Sequence, residues 1–252
     1  MRRTRLIPVL LIHKGGVYKT NKFKNAVYIG DPINTVRLFN DMEVDEIVVL
    51  DIDASKEKSE PNYEVFEELA SEAFMPVGYG GGIRTLEQAK RILNSGVEKV
   101  IINYAVQSNG ELIAECAKRF GSQSVVASID YTNKLIGGRK QYDHVTGKNL
   151  QLSPLDAAEI AEKMGAGEVI LSCVDRDGCM KGLDVELIQE ASQRLEIPIV
   201  ICGGAGTLEH LQQAQAAGAS AIAGGSMFVF RGRQRGILIN YPNEAQLRQF
   251  IS

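Results

Sequence analysis

Aspartates that close apolar runs, one lysine and two glycine-rich stretches are the parts of this sequence whose types and spacing could do chemistry. Asp51, Asp53 and Asp130 each follow a short Val/Ile-rich run, and Asp175 and Asp177 lie just beyond another. Asp130 directly follows Val125-Val126-Ala127-Ser128-Ile129, which makes it the best acid or base among them. Carboxylates at strand ends also cap turns, and with this many, at least one is expected to do only that. Lys19 stands in a long stretch, roughly residues 13–30; a loop of that length is usually functional or mobile, while neighbouring Lys14, Lys22 and Lys24 suggest a plainly solvated cation. Gly80-Gly81-Gly82 and Gly203-Gly204-Ala205-Gly206 each precede a helical pattern. Without side chains there, an anion can meet backbone N–H groups and a helix N-terminus. One such stretch alone reads as a tight turn needing positive φ. Two at matching places imply two phosphate sites, with Asn103-Tyr104 and Gly224-Gly225-Ser226 beside them as further donors, and hence a ligand with a phosphate at each end.

The elements that must position these residues alternate. Apolar, β-branched runs predict strands near 5–12, 46–52, 76–79, 99–102, 124–129, 168–172, 198–201 and 219–223. Helical spacing predicts helices near 32–42, 63–73, 86–95, 111–120, 154–164, 185–195, 208–217 and 244–251. Asp31 before Pro32, Ser153 before Pro154, and Thr85 and Thr207 before Leu-Glu are helix starts. Eight strand–helix units in about 250 residues predict a closed (β/α)₈ TIM barrel, with an open doubly wound sheet as the alternative. An internal offset of 122 residues, which takes Gly81 to Gly203, Thr85 to Thr207, Gly96 to Gly218 and Glu46 to Glu168, favours the barrel as two half-barrel repeats. The halves must pair to close the sheet, so residues 1–252 are expected to form a single domain. A second long loop, about 131–152, holds Gly137-Gly138 and could be a lid.

Arg5, Glu46, Lys99 and Glu168 open four of the strands. Pointing inward, they would ring the N-terminal mouth with alternating charge, either as mutually paired struts or as a gate over a channel. Composition excludes other classes. A formal charge of −3, with 44% hydrophobic and 23% charged residues, fits a globular chain and gives no nucleic-acid surface. The basic start before Leu6 contains Pro8 within its apolar run and lacks a cleavage signal; no run approaches the ~18 apolar residues of a span, so a cytoplasmic protein with no membrane role is expected. Cys116, Cys173, Cys179 and Cys202 make no CxxC, and His13, His144 and His210 are scattered, so reduced thiols and no metal or other cofactor are expected.

Ile7-Pro8, Lys19, Gly30-Asp31-Pro32, Leu50-Asp51-Ile52, Gly80-Gly81-Gly82-Ile83, Ile102-Asn103, Ile129-Asp130, Gly165-Ala166-Gly167-Glu168, Asp175-Arg176-Asp177-Gly178 and Gly203-Gly204-Ala205-Gly206 together resemble the cyclase-subunit family of imidazole glycerol phosphate synthase, essentially end to end. That resemblance implies a barrel paired with a glutaminase subunit. Ammonia would pass through it to a bisphosphate ribosyl substrate, giving imidazole glycerol phosphate and an aminoimidazole carboxamide ribotide. It implies Asp130 as an acid/base carboxylate and Lys19, Asp51, Asn103 and Asp177 as substrate-site groups. Phosphate sites would fall at Gly81, Gly82, Asn103 and Tyr104, and at Gly178, Gly203, Gly204, Gly225 and Ser226, with an ammonia gate at Arg5, Glu46, Lys99 and Glu168.

The departures are specific. Where the family has an Asp on strand one, this sequence has Leu11, which cannot move a proton. A positioned acid or base is worth about 10²–10⁴ in rate, so its loss predicts a crippled cyclase cycle unless another group substitutes. Tyr104 replaces a usual Thr, Cys202 a usual Ser, and the loop after Asp130 is atypical. With Asp51-Ile52-Asp53-Ala54-Ser55 and Pro61-Asn62-Tyr63-Glu64, the pattern is similar to second-copy homologues associated with amidination of bacterial surface sugars. The expected function is an ammonia-conducting cyclase homologue serving a separate ATP-using sugar amidotransferase in surface polysaccharide (lipopolysaccharide) biosynthesis. The alternatives are a genuine histidine-biosynthesis cyclase with a rearranged acid/base pair, a phosphosugar isomerase of the sister barrel, and a noncatalytic scaffold for the glutaminase.

Overall fold

The computed structural model describes residues 4–103, 110–134, 137–232 and 234–248. Its centre is a ring of parallel strands: β1 Arg5–His13, β2 Ile47–Asp51, β3 Val77–Gly80, β4 Lys99–Ile102, β5 Val125–Lys134, β6 Glu168–Cys173, β7 Ile199–Cys202 and β8 Ala221–Gly224. Each pairs with its successor, and β8 pairs with β1. Pairing of β5 with β6, from Val126↔Glu168 to Tyr131↔Cys173, leaves no edge, so the sheet is a closed (β/α)₈ barrel.

Around it run α1 Pro32–Asp41, α2 Tyr63–Glu72, α3 Leu86–Asn94, α4 Glu111–Phe120, α5 Pro154–Lys163, α6 Val185–Arg194 and α7 Leu208–Ala216, with α8 Glu244–Arg248 beyond β8. Except for α4, which follows Gly110, their starts are set by side-chain caps that satisfy first-turn N–H groups. Asp31 accepts from Asn34 N at 2.9 Å, Thr85 and Gln88 form a capping box, and Thr207 accepts from His210 N at 3.3 Å.

Period-two alternation along the strands separates two apolar cores. One set packs against the helices; the other, Ile7, Val9, Val48, Ile101, Val126, Ile170, Val200, Ala221 and Ala223, fills the barrel, with Leu11, Leu50 and Cys202 above it. Arg5, two residues before Ile7, and Lys99, two before Ile101, share that inward column at the opposite end. The half-barrel repeat survives in backbone detail. A Cβ on Gly81 (φ +132°) would lie 2.6 Å from Asp51 O, and one on Gly203 (φ +96°) 2.6 Å from Cys173 O, so each first-loop glycine lies against the carbonyl of the preceding strand's end.

Two stretches expected as long loops are strands instead. Gly16–Asn21 folds back antiparallel on β1, Leu11 opposite Tyr18, and Lys24–Gly30 pairs with it in turn. After Asp130, β5 runs on to Lys134; Gly138–Asp143 returns along it and Lys148–Asn149 follows. The first hairpin turns through Lys22 (φ 53°) and Phe23 (φ 58°), a left-handed pair for which the sequence offers none of the usual Gly or Asn.

Candidate functional site

The C-terminal strand ends and both hairpins enclose one pocket. Leu11 on β1, Asp51 on β2, Asn103 just after β4, Asp130 on β5 and Cys202 on β7 face it, together with Lys19 from the first hairpin, Asp177 from the loop after β6 and Gly81, Gly82 and Gly225. Lys19, Asp51, Asp130 and Asp177 therefore meet in one place, whereas Asp53 and Asp175 do not line it. Asp130 is 6% exposed and accepts from Asn103 Nδ2 at 2.8 Å.

Burial governs the charges here. Lys19 is 3% exposed and donates to the Val9 carbonyl. Desolvation lowers its pKa to about 8, against the pull of Asp177 and Cys202. Burial likewise raises Asp177, although Thr20 Oγ1 donates to it at 2.7 Å and Phe23 N at 3.1 Å. Asp177 O also accepts from Lys22 N at 3.0 Å, so this residue clamps both left-handed positions of the first hairpin's turn. Positive φ at bulky residues is costly and persists only where the surroundings enforce it. Asp51 is raised by burial while its Oδ1 closes a turn, accepting from Asp53 N at 2.9 Å and Ala54 N at 3.1 Å. Burial pushes the Cys202 thiol up to about 12, leaving it protonated and inert at neutral pH.

The glycine stretches divide. Gly81, Gly82 and Gly225 line the pocket. Gly178, Gly203 and Gly204 (φ +66°, +96° and +108°) do not line it, and a Cβ on Gly204 would lie 2.1 Å from Gly182 O, so packing by itself already requires glycine there. Ser226 is buried in a short turn, Ser226–Phe228. Tyr104 lies outside the described residues.

At the other mouth the four charged residues do meet. Arg5 bridges Glu46 and Glu168, and Lys99 Nζ lies 2.8 Å from Glu46 Oε1 and 2.8 Å from Glu168 Oε2, a ring in which each cation touches both carboxylates. Burial opposes charge on Arg5, yet the two carboxylates outweigh it and raise its pKa. Phe74, in the loop before β3, is 89% exposed. Its N–H donates to Asn40 Oδ1 at 3.0 Å.

The sequence reading passed over several pocket residues, Thr20, Phe23, Lys56, Ser128 and Ser172 among them, and one of these omissions bears directly on Asp130. His144, on the turn after Gly138–Asp143, brings Nδ1 to 3.2 Å from Asp130 Oδ2, a contact too poorly aligned to count as a hydrogen bond. Fourteen residues of sequence separate the two, and no motif spacing links them; only the hairpin does.

Comparison with known proteins adds the relationship. A family profile described as histidine biosynthesis protein matches residues 5–233. A Pseudomonas aeruginosa protein provisionally named imidazole glycerol phosphate synthase subunit hisF2 is 46% identical, covering 98% of this chain and 99% of that one. A Vibrio vulnificus protein provisionally named subunit hisF3 of the same synthase is 41% identical, over 100% and 97%. Imidazole glycerol phosphate synthase subunit HisF of Streptococcus sanguinis is 36% identical, over 84% of each. No helix among the described residues is long and apolar enough to cross a membrane.

Proposed function

The chain belongs to the histidine biosynthesis protein family, and on that premise we propose that it is an ammonia-conducting barrel, loaded by a glutaminase subunit at the charged ring and serving a phosphate-bearing ligand at the opposite mouth. The carrying observation is the placement of the two ends. A closed ring of Arg5, Glu46, Lys99 and Glu168 lies at one end of an apolar column and the polar pocket at the other. Ile7, Val48, Ile101, Val126, Ile170 and Val200 offer no partner to an ammonium ion, whose desolvation there would be costly; neutral ammonia suits the column. Phe74 gives the ring end an apolar anchor for a docked subunit.

The final acceptor is a sugar amidated by a separate ATP-using amidotransferase. Leu11 supports this, since strand one brings the pocket no proton-transfer group, and so does the similarity to relatives numbered hisF2 and hisF3. The cyclase reading, with glycine-flanked phosphate sites and a rearranged acid/base pair, is favoured by one observation, His144 beside Asp130.

Lys99→Ala in the complex with the glutaminase tests the conduit. At equal glutamine hydrolysis, the ratio of ammonia captured in product to ammonia released is expected to fall at least severalfold. An unchanged ratio would mean that the ring only ties strands together.

A further inference from the structure

The pocket contains an imidazole and a carboxylate with no assigned partnership. Asp130 is fixed from one side by Asn103 Nδ2 at 2.8 Å, and from the other His144 Nδ1 stands at 3.2 Å. His144 Nδ1 is buried and lacks a properly aligned hydrogen bond. A buried polar atom left in that condition is uncommon in a settled core and frequent where a ligand completes the geometry. The turn that carries it is well fixed: Asp143 accepts from Val145 N at 2.9 Å and from Thr146 Oγ1 at 2.7 Å, and Gly147 N donates to Asp143 O at 2.8 Å. Behind the turn, Arg139 anchors the hairpin to Asp184 at the start of α6, with Nε at 3.0 Å and Nη2 at 2.9 Å from its two oxygens. Such scaffolding is what precise proton transfer needs and what an incidental surface histidine lacks.

The rest of the pocket sharpens the assignment. Lys19 is committed to the Val9 carbonyl, Asp177 to the first hairpin and Asp51 to its own turn. The Cys202 thiol stays protonated at neutral pH, and the wall at β1 is Val9 and Leu11. Apart from the exposed Lys56, what remains is one pair of unlike titratable groups at contact distance. We propose that His144 and Asp130 are the acid/base pair of this pocket, acting on the phosphate-bearing ligand bound at this mouth and not on the sugar of the separate amidotransferase; this rests on the conduit reading above.

The step they serve balances without any further reagent. As ammonia nitrogen bonds to an electrophilic carbon bearing oxygen, ionised Asp130 takes a proton from the nitrogen and protonated His144 gives one to the oxygen. When that oxygen leaves as water, the carboxylic acid of Asp130 returns its proton to it and the imidazole takes the next proton from nitrogen, leaving a carbon–nitrogen double bond and both groups as they began.

The experiment uses the complex of this chain with its glutaminase, supplied with ammonium chloride and, as probe, the bisphosphate ribosyl compound of the cyclase family. Wild type is expected to form product slowly. His144→Gln is expected to lower that rate ~10²-fold, the ordinary worth of one positioned acid or base. Adding Leu11→Asp to the His144→Gln variant should recover at least tenfold, a rescue that a merely structural histidine would not permit. The proposal is overturned by a His144→Gln rate within twofold of wild type, by no product from wild type, or by no recovery in the double variant. Ammonia passage in the Lys99→Ala comparison is measured separately: a normal passage with no His144 effect removes this pair alone, whereas an unaltered ratio in Lys99→Ala removes the conduit beneath it.

Discussion

The two mouths of the barrel handle buried charge in opposite ways. At the N-terminal mouth, Arg5 and Lys99 each touch both Glu46 and Glu168, so side chain neutralises side chain. At the C-terminal mouth the carboxylates are held largely by neutral donors: Asn103 for Asp130, Thr20 and the Phe23 N–H for Asp177, and two N–H groups for Asp51. Compensated charge makes a rigid plug. Where dipoles hold the charge, desolvation is left to move the pKa, lowering Lys19 and raising Asp51 and Asp177, whereas at the ring the carboxylates outweigh desolvation at Arg5. The same fold thus puts mutually neutralised charge at one end and titratable charge held by dipoles at the other.

The largest effect is expected from breaking the plug. Glu46→Ala leaves Arg5 and Lys99 sharing one carboxylate, and should cost about 3 kcal/mol in urea unfolding, the scale for uncoupling a buried ion pair. A loss below the ordinary scatter of surface substitutions would mean that water already screens the ring. Next, Asp177→Ala removes the acceptor for Thr20 and Phe23 and should destabilise the first hairpin by about 2 kcal/mol. Hydrogen exchange is the measurement: faster exchange should be confined to residues 16–30, with the ring end unaltered. Inorganic phosphate should stabilise the open mouth alone. At about ten times its dissociation constant it would add ~1.4 kcal/mol, and anions should be seen near Gly82 and Asn103 and near Gly204 and Ser226; empty loops in saturating phosphate would count against both sites.

The smallest effect concerns Lys19. Its folded pKa, about 8, lies below the ordinary lysine value of 10.5, so between these two pH values the unfolded chain binds more protons. Stability from this group therefore rises with pH through that window. Between pH 7.5 and 9 the gain is about 1 kcal/mol. Taking the difference between wild type and Lys19→Met cancels the thiols that titrate in the same range. The variant should be the more stable at pH 7.5, with the gap narrowing at pH 9; a constant gap would place the ammonium in contact with solvent.

The barrel was legible because its strands repeat one pattern, a β-branched run buried on both faces and, for most, followed by a helix with a side-chain cap. The matched stretches at Gly81 and Gly203 exposed the half-barrel repeat for the same reason, since both meet the carbonyl at the end of the preceding strand. The hairpins were not legible. Gly16–Asn21 and Lys24–Gly30 carry few apolar residues, their pairing is irregular, and their turn is made by Lys22 and Phe23, which signal no turn at all. That turn is fixed from outside, by Asp177 more than 150 residues away in sequence. His144 was missed through the same blindness, because its relation to Asp130 exists only once the second hairpin has formed.

Those hairpins leave the barrel from β1 and β5, the opening strands of the two halves, and they meet over the pocket, where Phe23 and Tyr142 stand edge to face with ring centroids 6.5 Å apart. One brings an ammonium and the other an imidazole. Neither contributes to the closure of the sheet. The mouth is accordingly built from exchangeable cassettes: grafting a different hairpin onto either strand would change the chemistry presented to a ligand while leaving the apolar column beneath it intact, so that a new ligand needs no redesign of the barrel.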